Sequence, residues 1–353
     1  MARVLVAMSG GVDSSVAALL ARRAGHHVVG VTMRLWGGDS DTGCCSVADV
    51  DDARRVAQQI GIDHLVFNFS DDFDRHVVGP YVAAHSAGRT PNPCIECNRH
   101  LKFTRLFDRA ALLGFDLVAT GHHARVEHRR GTPPHTLGLA RGADRSKDQS
   151  YVVHMLDSTE LRRLWLPIGA LRKDEVRAVA AQAGLRTAAK ADSQDVCFVS
   201  AAAGGRREFL RRRIPLRAGT VVDATGADVG SVDAVELVTV GQRRGLGLAG
   251  GGDPRFVVDV DVAAARVVVG SAAELARSEI RLEQTTWVDE PATGAVLVQT
   301  SAHGEAHQAC VEPGAAGTAT LRLERPARRV APGQSVVLYD LTDTWVLGGG
   351  IAS

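Results

Sequence analysis

Near the N-terminus the residues Met8-Ser9-Gly10-Gly11-Val12-Asp13-Ser14-Ser15 gather glycines, hydroxyls and one carboxylate where a β-branched run gives way to an amphipathic one. A strand-to-helix turn of this kind aims backbone amides and the positive helix end at one point, so an anion belongs there. Gly10 and Gly11 let the backbone approach a phosphate closely and adopt angles that a side chain forbids, while the Ser9 and Ser14 hydroxyls add donors. Asp13 offers a carboxylate to a magnesium ion beside the phosphates. No G-x-x-x-x-G-K-[ST] string exists, so the lysine that steadies a γ-phosphate in kinase-like loops is missing from the motif. The bland alternative is a glycine-rich turn that merely joins strand to helix. A second glycine string, Gly245-Leu246-Gly247-Leu248-Ala249-Gly250, runs into Gly251, Gly252, Asp253 and Pro254, which cannot open a helix, so it is no dinucleotide site.

Sulfur is the other chemical resource. In Thr90-Pro91-Asn92-Pro93-Cys94-Ile95-Glu96-Cys97-Asn98-Arg99-His100-Leu101-Lys102 a proline-stiffened loop runs into a helix, with Asn92 as cap and Pro93 as first residue. The helix N-terminus and the neighbouring Arg99 and Lys102 favour thiolate, which makes Cys97 a credible nucleophile. A third candidate, Cys197, lies far along the chain in Asp192-Ser193-Gln194-Asp195-Val196-Cys197. By ligand count alone, Cys94, Cys97 and Cys197 would also suit an iron-sulfur cluster with one open iron, or zinc. Cys44, Cys45 and Cys310 carry no pairing signal and read as buried small apolar residues.

These groups need a scaffold. From Arg3 to about Ala203, short β-branched runs (RVLVAM, HVVGVTM, HLVFNF, DLVAT) alternate with helical patterns closing on Gly25, Gly61 and Gly114, the mark of a parallel sheet with covering helices. His122 and His123 follow the fourth strand at the sheet's functional edge. Beyond Arg206, Gly-punctuated Val-rich segments replace helices and read as small antiparallel β domains. The expected division is 1–205, 206–280 and 281–353.

At 353 residues the chain is long enough for two or three domains. Its 41 Lys plus Arg against 40 Asp plus Glu give no global basic field, so any polyanion must be met by local patches. Arg206, Arg207, Arg211, Arg212, Arg213 and Arg217, and Arg322, Arg325, Arg328 and Arg329, are the candidates, with a solvated face as the alternative. The first residues enter a strand without the order of a secretory leader, and no run of about eighteen apolar residues occurs. A soluble, cytoplasmic protein with no membrane partner is therefore expected, in a reducing compartment where six cysteines do not make a disulfide scaffold.

The loop resembles the SGGxDS pyrophosphate loop of ATP pyrophosphatases, which cleave ATP between the α and β phosphates. With TPNPCIECNRHLKF, TGHHAR, KDQSYVV, DSQDVCFV, TVGQRRGLGL and the terminal LGGGIAS in the same order, the chain resembles the tRNA-specific 2-thiouridylase family. That resemblance implies a pyrophosphatase-type α/β (PP-loop) domain, a small central domain and a C-terminal β-barrel. It implies adenylation of the wobble uridine at position 2 with ATP and Mg2+, then replacement of the oxygen by sulfur from a protein persulfide. By motif, Cys97 matches the nucleophile and Cys197 the persulfide carrier, the two forming a disulfide after sulfur release. Nucleotide contacts fall on Ala7, Met8, Ser9, Gly10, Gly11, Val12, Asp13, Ser14, Met33 and Gly121, and tRNA contacts on Lys147, Asp148 and Gln149. The partners implied are tRNA and a persulfide sulfur-donor protein.

The chain departs from part of the family in two places. Some members carry aspartate where Cys94 stands, and an Arg-Tyr pair that touches tRNA corresponds here to Ser301-Ala302-His303, for which His303 or Arg322 is a candidate substitute. Two other functions keep some of the same residues. An amide-forming ligase would use the loop without Cys97 and Cys197, and an RNA-binding protein would use the cysteines for a structural metal.

Overall fold

The computed structural model describes residues 1–35, 46–129, 136–192, 196–199, 204–248 and 253–353. Cys44, Cys45 and the Ser193-Gln194-Asp195 stretch before Cys197 lie outside the described residues.

Strands β1 (Arg3–Ala7), β2 (His27–Arg34), β3 (Asp63–Asn68) and β4 (Leu117–Ala119) are the four expected from their β-branched runs. Strands β5 (Ala124–His128) and β6 (Leu137–Arg141) form a separate antiparallel hairpin, and β7 (Leu164–Trp165) returns to the main sheet. That sheet is parallel, in the order β3-β2-β1-β4-β7. Side chains of β1 alternate between two cores, Val4, Val6 and Met8 on one face and Leu5 and Ala7 on the other, as the pleat requires. Helix α1 (Val12–Arg23) covers the first face with α2 (Val47–Ile60). The second helix is capped by Ser46, whose Oγ accepts the Asp49 amide, and stops at Gly61 with φ 68.

The strand order makes β1 and β4 neighbours although two strands separate them in sequence. This is the topological switch point, where the loops leaving adjacent strands diverge to opposite faces and open a crevice at the carboxyl edge. Met8–Gly11 leaves β1 there and Thr120–His123 leaves β4.

The central unit holds β8 (Gly219–Val222), β9 (Asp228–Val232), β10 (Phe256–Asp261) and β11 (Arg266–Gly270). Expected to be antiparallel, its sheet is mixed, because β11 runs parallel to β8 while its other pairings are antiparallel. The C-terminal strands β12 (Ala276–Trp287), β13 (Gly294–Gln299), β14 (His307–Pro313), β15 (Ala319–Arg328), β16 (Ser335–Tyr339) and β17 (Val346–Ala352) close a barrel. Its first strand begins inside the stretch 206–280 expected for the central domain. Cys310, expected to be buried, is exposed: on β14 the alternation turns Ala309 and Val311 inward and Cys310 outward.

The barrel docks on the α/β domain through buried polar contacts. Tyr151 donates its hydroxyl to the Ser335 carbonyl at 2.7 Å, and Arg141 stacks 3.5 Å over the Tyr339 ring while pairing with Asp343 at 2.7 Å. Gly349 touches His154 so closely that an added Cβ would lie 2.5 Å from its ring.

Two imidazoles sit in this interior without charge. Burial pushes His154 down to about 4, and burial together with Arg206 does the same to His85. Because both values lie below the ordinary 6.5 of an exposed ring, the folded state binds fewer protons between pH 6.5 and 4. Stability from these two groups is complete above that window and falls as the pH descends through it, by about 1.4 kcal/mol per pH unit for each. Urea midpoints should drop steeply from pH 6.5 to 4.5, and His154→Gln should make the slope shallower; an unchanged slope would count against this assignment.

Candidate active site

The phosphate loop is shaped by its own small side chains. Ser14 Oγ accepts the Ser9 amide at 3.1 Å and donates to the Gly11 carbonyl at 3.1 Å, while Ser15 Oγ donates to the same carbonyl at 2.8 Å. Ser14 is thus turned into the loop, and Ser9 is the exposed hydroxyl of the pair. Gly10 has φ 73, and an added Cβ would lie 2.4 Å from the Asp49 carbonyl oxygen of α2. Gly11, in extended conformation with φ −91, would meet only Ser9 Oγ, at 3.6 Å. Gly10 is therefore required by the protein's own packing, whereas the space beside Gly11 is left to whatever the loop receives. Gly121 packs on the start of α1, its missing Cβ 2.6 Å from the Ser14 amide nitrogen.

Met33 is a core side chain on β2. Val31 accepts the Met8 amide at 2.8 Å, and strand alternation turns the Met33 backbone the same way, beyond the end of β1. That is an edge an adenine can reach by main-chain hydrogen bonds.

The lysine missing from the motif is supplied from elsewhere in the chain. Lys173, first residue of the helix Lys173–Gln182, places Nζ 2.7 and 2.8 Å from the two Asp13 oxygens. Lys190 places Nζ 3.0 Å from the Gly10 carbonyl and 2.7 Å from both Asp49 and Asp52. Asp13 also accepts from His123 Nε2 at 3.2 Å. Burial opposes its ionisation, but the bonds from His123 and Lys173 outweigh burial and hold it below the usual carboxylate value. Asp192 extends the chain of charges, with Lys173 and Lys147 each at 2.9 Å and Arg177 at 2.8 Å. Lys173 and Lys190 belong to no motif of the sequence, and Asp192 opens the DSQDVCFV string, whose one candidate residue there is Cys197; Lys173 opens a helix whose pattern is otherwise ordinary.

Asn92 caps the cysteine helix as expected, accepting the Cys94 amide at 3.1 Å, with Pro93 in the first turn. Cys94 is exposed and Cys97 is buried, 7% exposed, in the core cluster that also holds Ala7 at the end of β1. Cys197 is half-buried against that same cluster, and its neighbour Phe198 packs between Phe73, Tyr81 and Phe209. Neither Cys97 nor Cys197 is in a disulfide. Arg99, expected to act on Cys97, is turned to Glu96 at 3.8 Å. Among the described residues no three His, Cys, Asp or Glu side chains are grouped to hold a metal ion, so Cys94, Cys97 and Cys197 are not gathered as cluster ligands. His122 is fully buried; burial, Lys102 and His123 keep it uncharged, and it bonds Thr120 Oγ1 at 2.7 Å.

The segment Lys147-Asp148-Gln149 divides. The Asp148 carboxylate, 6% exposed, is spent on Arg141, the Gly142 amide and both donors of Ser150. Gln149 Oε1 accepts the His123 amide at 2.9 Å. Lys147 faces solvent, 43% exposed. Next to it a cavity of about 530 Å³ opens between the 141–148 loop and the barrel turn carrying Ala302 and His303. Arg322 is turned away to Glu312. Arg211 and Arg212 grip Glu208, Arg217 grips Glu236, and Arg206 and Arg213 cap carbonyls, so much of that arginine cluster serves the fold.

Comparison with known proteins agrees along the whole chain. Family models described as tRNA methyl transferase HUP domain, tRNA methyl transferase PRC-barrel domain and aminomethyltransferase beta-barrel domain match residues 2–201, 207–271 and 277–352. A tRNA-specific 2-thiouridylase MnmA from Roseiflexus sp. (strain RS-1) is 46% identical over 373 residues, covering 99% of both chains. Its counterpart from Chloroflexus aurantiacus is 48% identical over 359 residues, covering 99% of this chain and 98% of its own. A solved 4-thiouridine synthetase–RNA complex with bound ATP aligns with 55% of this chain and 44% of its own at 18% identity and TM-score 0.38, too slight a likeness to argue from.

The two loop glycines should separate fold from function. Gly10→Ala combines a left-handed backbone with a backbone clash and should cost about 2–4 kcal/mol of stability. Gly11→Ala should melt within a degree or two of wild type yet weaken nucleotide binding at least about tenfold. Equal melting losses for both variants would overturn this division.

Proposed function

The chain belongs to the tRNA-specific 2-thiouridylase MnmA family, and on that premise we propose that it is an ATP-dependent tRNA sulfurtransferase that converts the wobble uridine to 2-thiouridine. Uridine O2 attacks the α-phosphorus and pyrophosphate leaves. The terminal sulfur of a Cys197 persulfide then attacks C2, and AMP departs with the former carbonyl oxygen. Cys97 thiolate attacks Cys197 Sγ, breaking the sulfur-sulfur bond, leaving the 2-thiouridine and closing a Cys97–Cys197 disulfide that a thiol reductant must reopen. The target base must leave the anticodon stack first, at a cost of a few kcal/mol.

The observation that carries this reading is the pairing of a phosphate loop at the switch point with two cysteines, a hundred positions apart in sequence and not joined in a disulfide, on the core cluster beneath it. The methyl transferase wording of the family descriptions does not account for the phosphate loop, because methyl transfer to a base does not cleave ATP between its α and β phosphates. Half-exposure of Cys197 suits loading by a persulfide donor protein, and burial of Cys97 suits a thiol that acts only within the site. Lys173 and Lys190 take the part of the absent motif lysine, neutralising phosphate charge. Asp13 is the residue that would hold magnesium, whose charge would offset that of departing pyrophosphate; one carboxylate plus phosphate oxygens is an ordinary magnesium ligand set. Lys147 and His303, beside the interdomain cavity, suit the RNA backbone. Among the described residues no helix is long and apolar enough to cross a membrane, and cytoplasmic tRNA is the substrate this reading requires.

Replacing Cys97 or Cys197 with Ser should lower 2-thiouridine formation, measured by mass spectrometry of digested tRNA, by at least about a hundredfold, while tRNA-dependent pyrophosphate release persists. Unchanged turnover in both variants would favour an amide-forming ligase instead.

A further inference from the structure

Asp192 is gripped by three cations that lead to three different places. Lys173 continues to Asp13 on the phosphate loop, Arg177 lies one turn along the same helix, and Lys147 faces solvent. Exposure separates the two lysines, 12% for Lys173 against 43% for Lys147, so only the latter is open to an incoming polyanion. The loop carrying Lys147 is also braced on the helix carrying Lys173, since Asp144 Oδ2 accepts the Lys173 amide at 3.0 Å. In this arrangement Lys173 bonds both Asp13 oxygens, so a cation arriving at that carboxylate must compete with the lysine.

We propose that Asp192 is a positioning carboxylate that couples RNA binding to the nucleotide site: when an RNA phosphate takes Lys147, Asp192 draws Lys173 off Asp13 and releases the loop carboxylate for the metal of the nucleotide. The physical cause is competition. Three cations sharing one carboxylate repel one another, and removing the outermost strengthens the hold on those that remain. Lys173 already lies within 2.9 Å of both carboxylates, so a small side-chain rotation decides which one it favours. Coupling of this kind is reciprocal, and magnesium-nucleotide should tighten RNA binding by the same factor. The inference rests on the tRNA reading above and adds to it a reason for ATP to be committed only when RNA is present.

The test measures binding of magnesium and α,β-methylene ATP by calorimetry, with and without an anticodon stem-loop RNA carrying the wobble uridine. Wild type should bind the nucleotide about tenfold more tightly with RNA, and the gain should vanish when magnesium is withheld. Asp192→Asn should bind equally with and without RNA. Lys147→Met, an exposed position whose change leaves the core intact, should bind without RNA as tightly as wild type does with it. Full coupling in Asp192→Asn, no gain in Lys147→Met, or coupling that survives without magnesium would each overturn the proposal. Thiolation of full-length tRNA by wild type, followed in parallel, separates the two levels. If it fails, the tRNA reading fails and the coupling with it; if it succeeds while Asp192→Asn couples normally, only the coupling falls.

Discussion

Backbone meets backbone at the switch point of the sheet. The first turn of α1 lies against Gly121, where a Cβ would stand 2.6 Å from the Ser14 amide, and Gly10 lies against Asp49, where one would stand 2.4 Å from the carbonyl oxygen. Three segments from three different parts of the α/β domain therefore converge with no side chain between them. Close packing of this kind has little compressibility, so the loop cannot drift without separating a helix from the sheet. The positive end of α1 is held at one position, and the place where an anion is best stabilised is fixed with it.

A positive helix end alone is a weak anion site, and the charges around it show how the protein strengthens it. Lys173 and Lys190 come from residues after β7, and neither is left bare, because Asp13, Asp192, Asp49 and Asp52 share them. Unpaired lysines facing one another beneath a glycine loop would repel and would be costly to desolvate. Pairing them with carboxylates stores cations next to the phosphate position in a form that arriving phosphate can take over. The cost is that the motif carboxylate Asp13 is itself occupied in the resting arrangement, its ionised form stabilised by the partners it must partly give up.

Local signals in the chain told a good deal of this. The strand runs, the cap at Asn92, the closing glycines and the loop motif all follow from short-range chemistry, and each appears where its residues place it. What remained hidden depends on contacts between distant segments. Nothing near Lys173 marks it as the partner of Asp13, since 160 positions separate them. Asp148 looks like a polar loop residue beside Lys147 until the fold buries it under Arg141. Arginine clusters read as an RNA surface lose much of that meaning once Glu208 and Glu236 are seen to hold them. The parallel pairing of β11 with β8, too, is a matter of topology that the Val-rich pattern of either strand cannot express.

The barrel belongs to this same argument. Thr90, two residues before the cap of the cysteine helix, donates its amide to the Pro332 carbonyl at 2.8 Å, and Gly333 lies so near that a Cβ would be 3.2 Å from that amide. Arg89 pairs with Glu283 on β12. The entry to the helix bearing Cys94 and Cys97 is thus registered by the C-terminal domain, and the segment after Gln149 is registered by it again through Ser150 and Tyr151. Under the proposed sulfur transfer, a thiol that must meet a half-exposed partner cysteine and a base drawn from an RNA loop needs its helix fixed to a fraction of an ångström, which a proline-rich loop alone does not provide. Docking the barrel on both segments makes the C-terminal domain part of the scaffold that positions the cysteine helix, so on the proposed reading loosening that interface would disturb chemistry as well as binding.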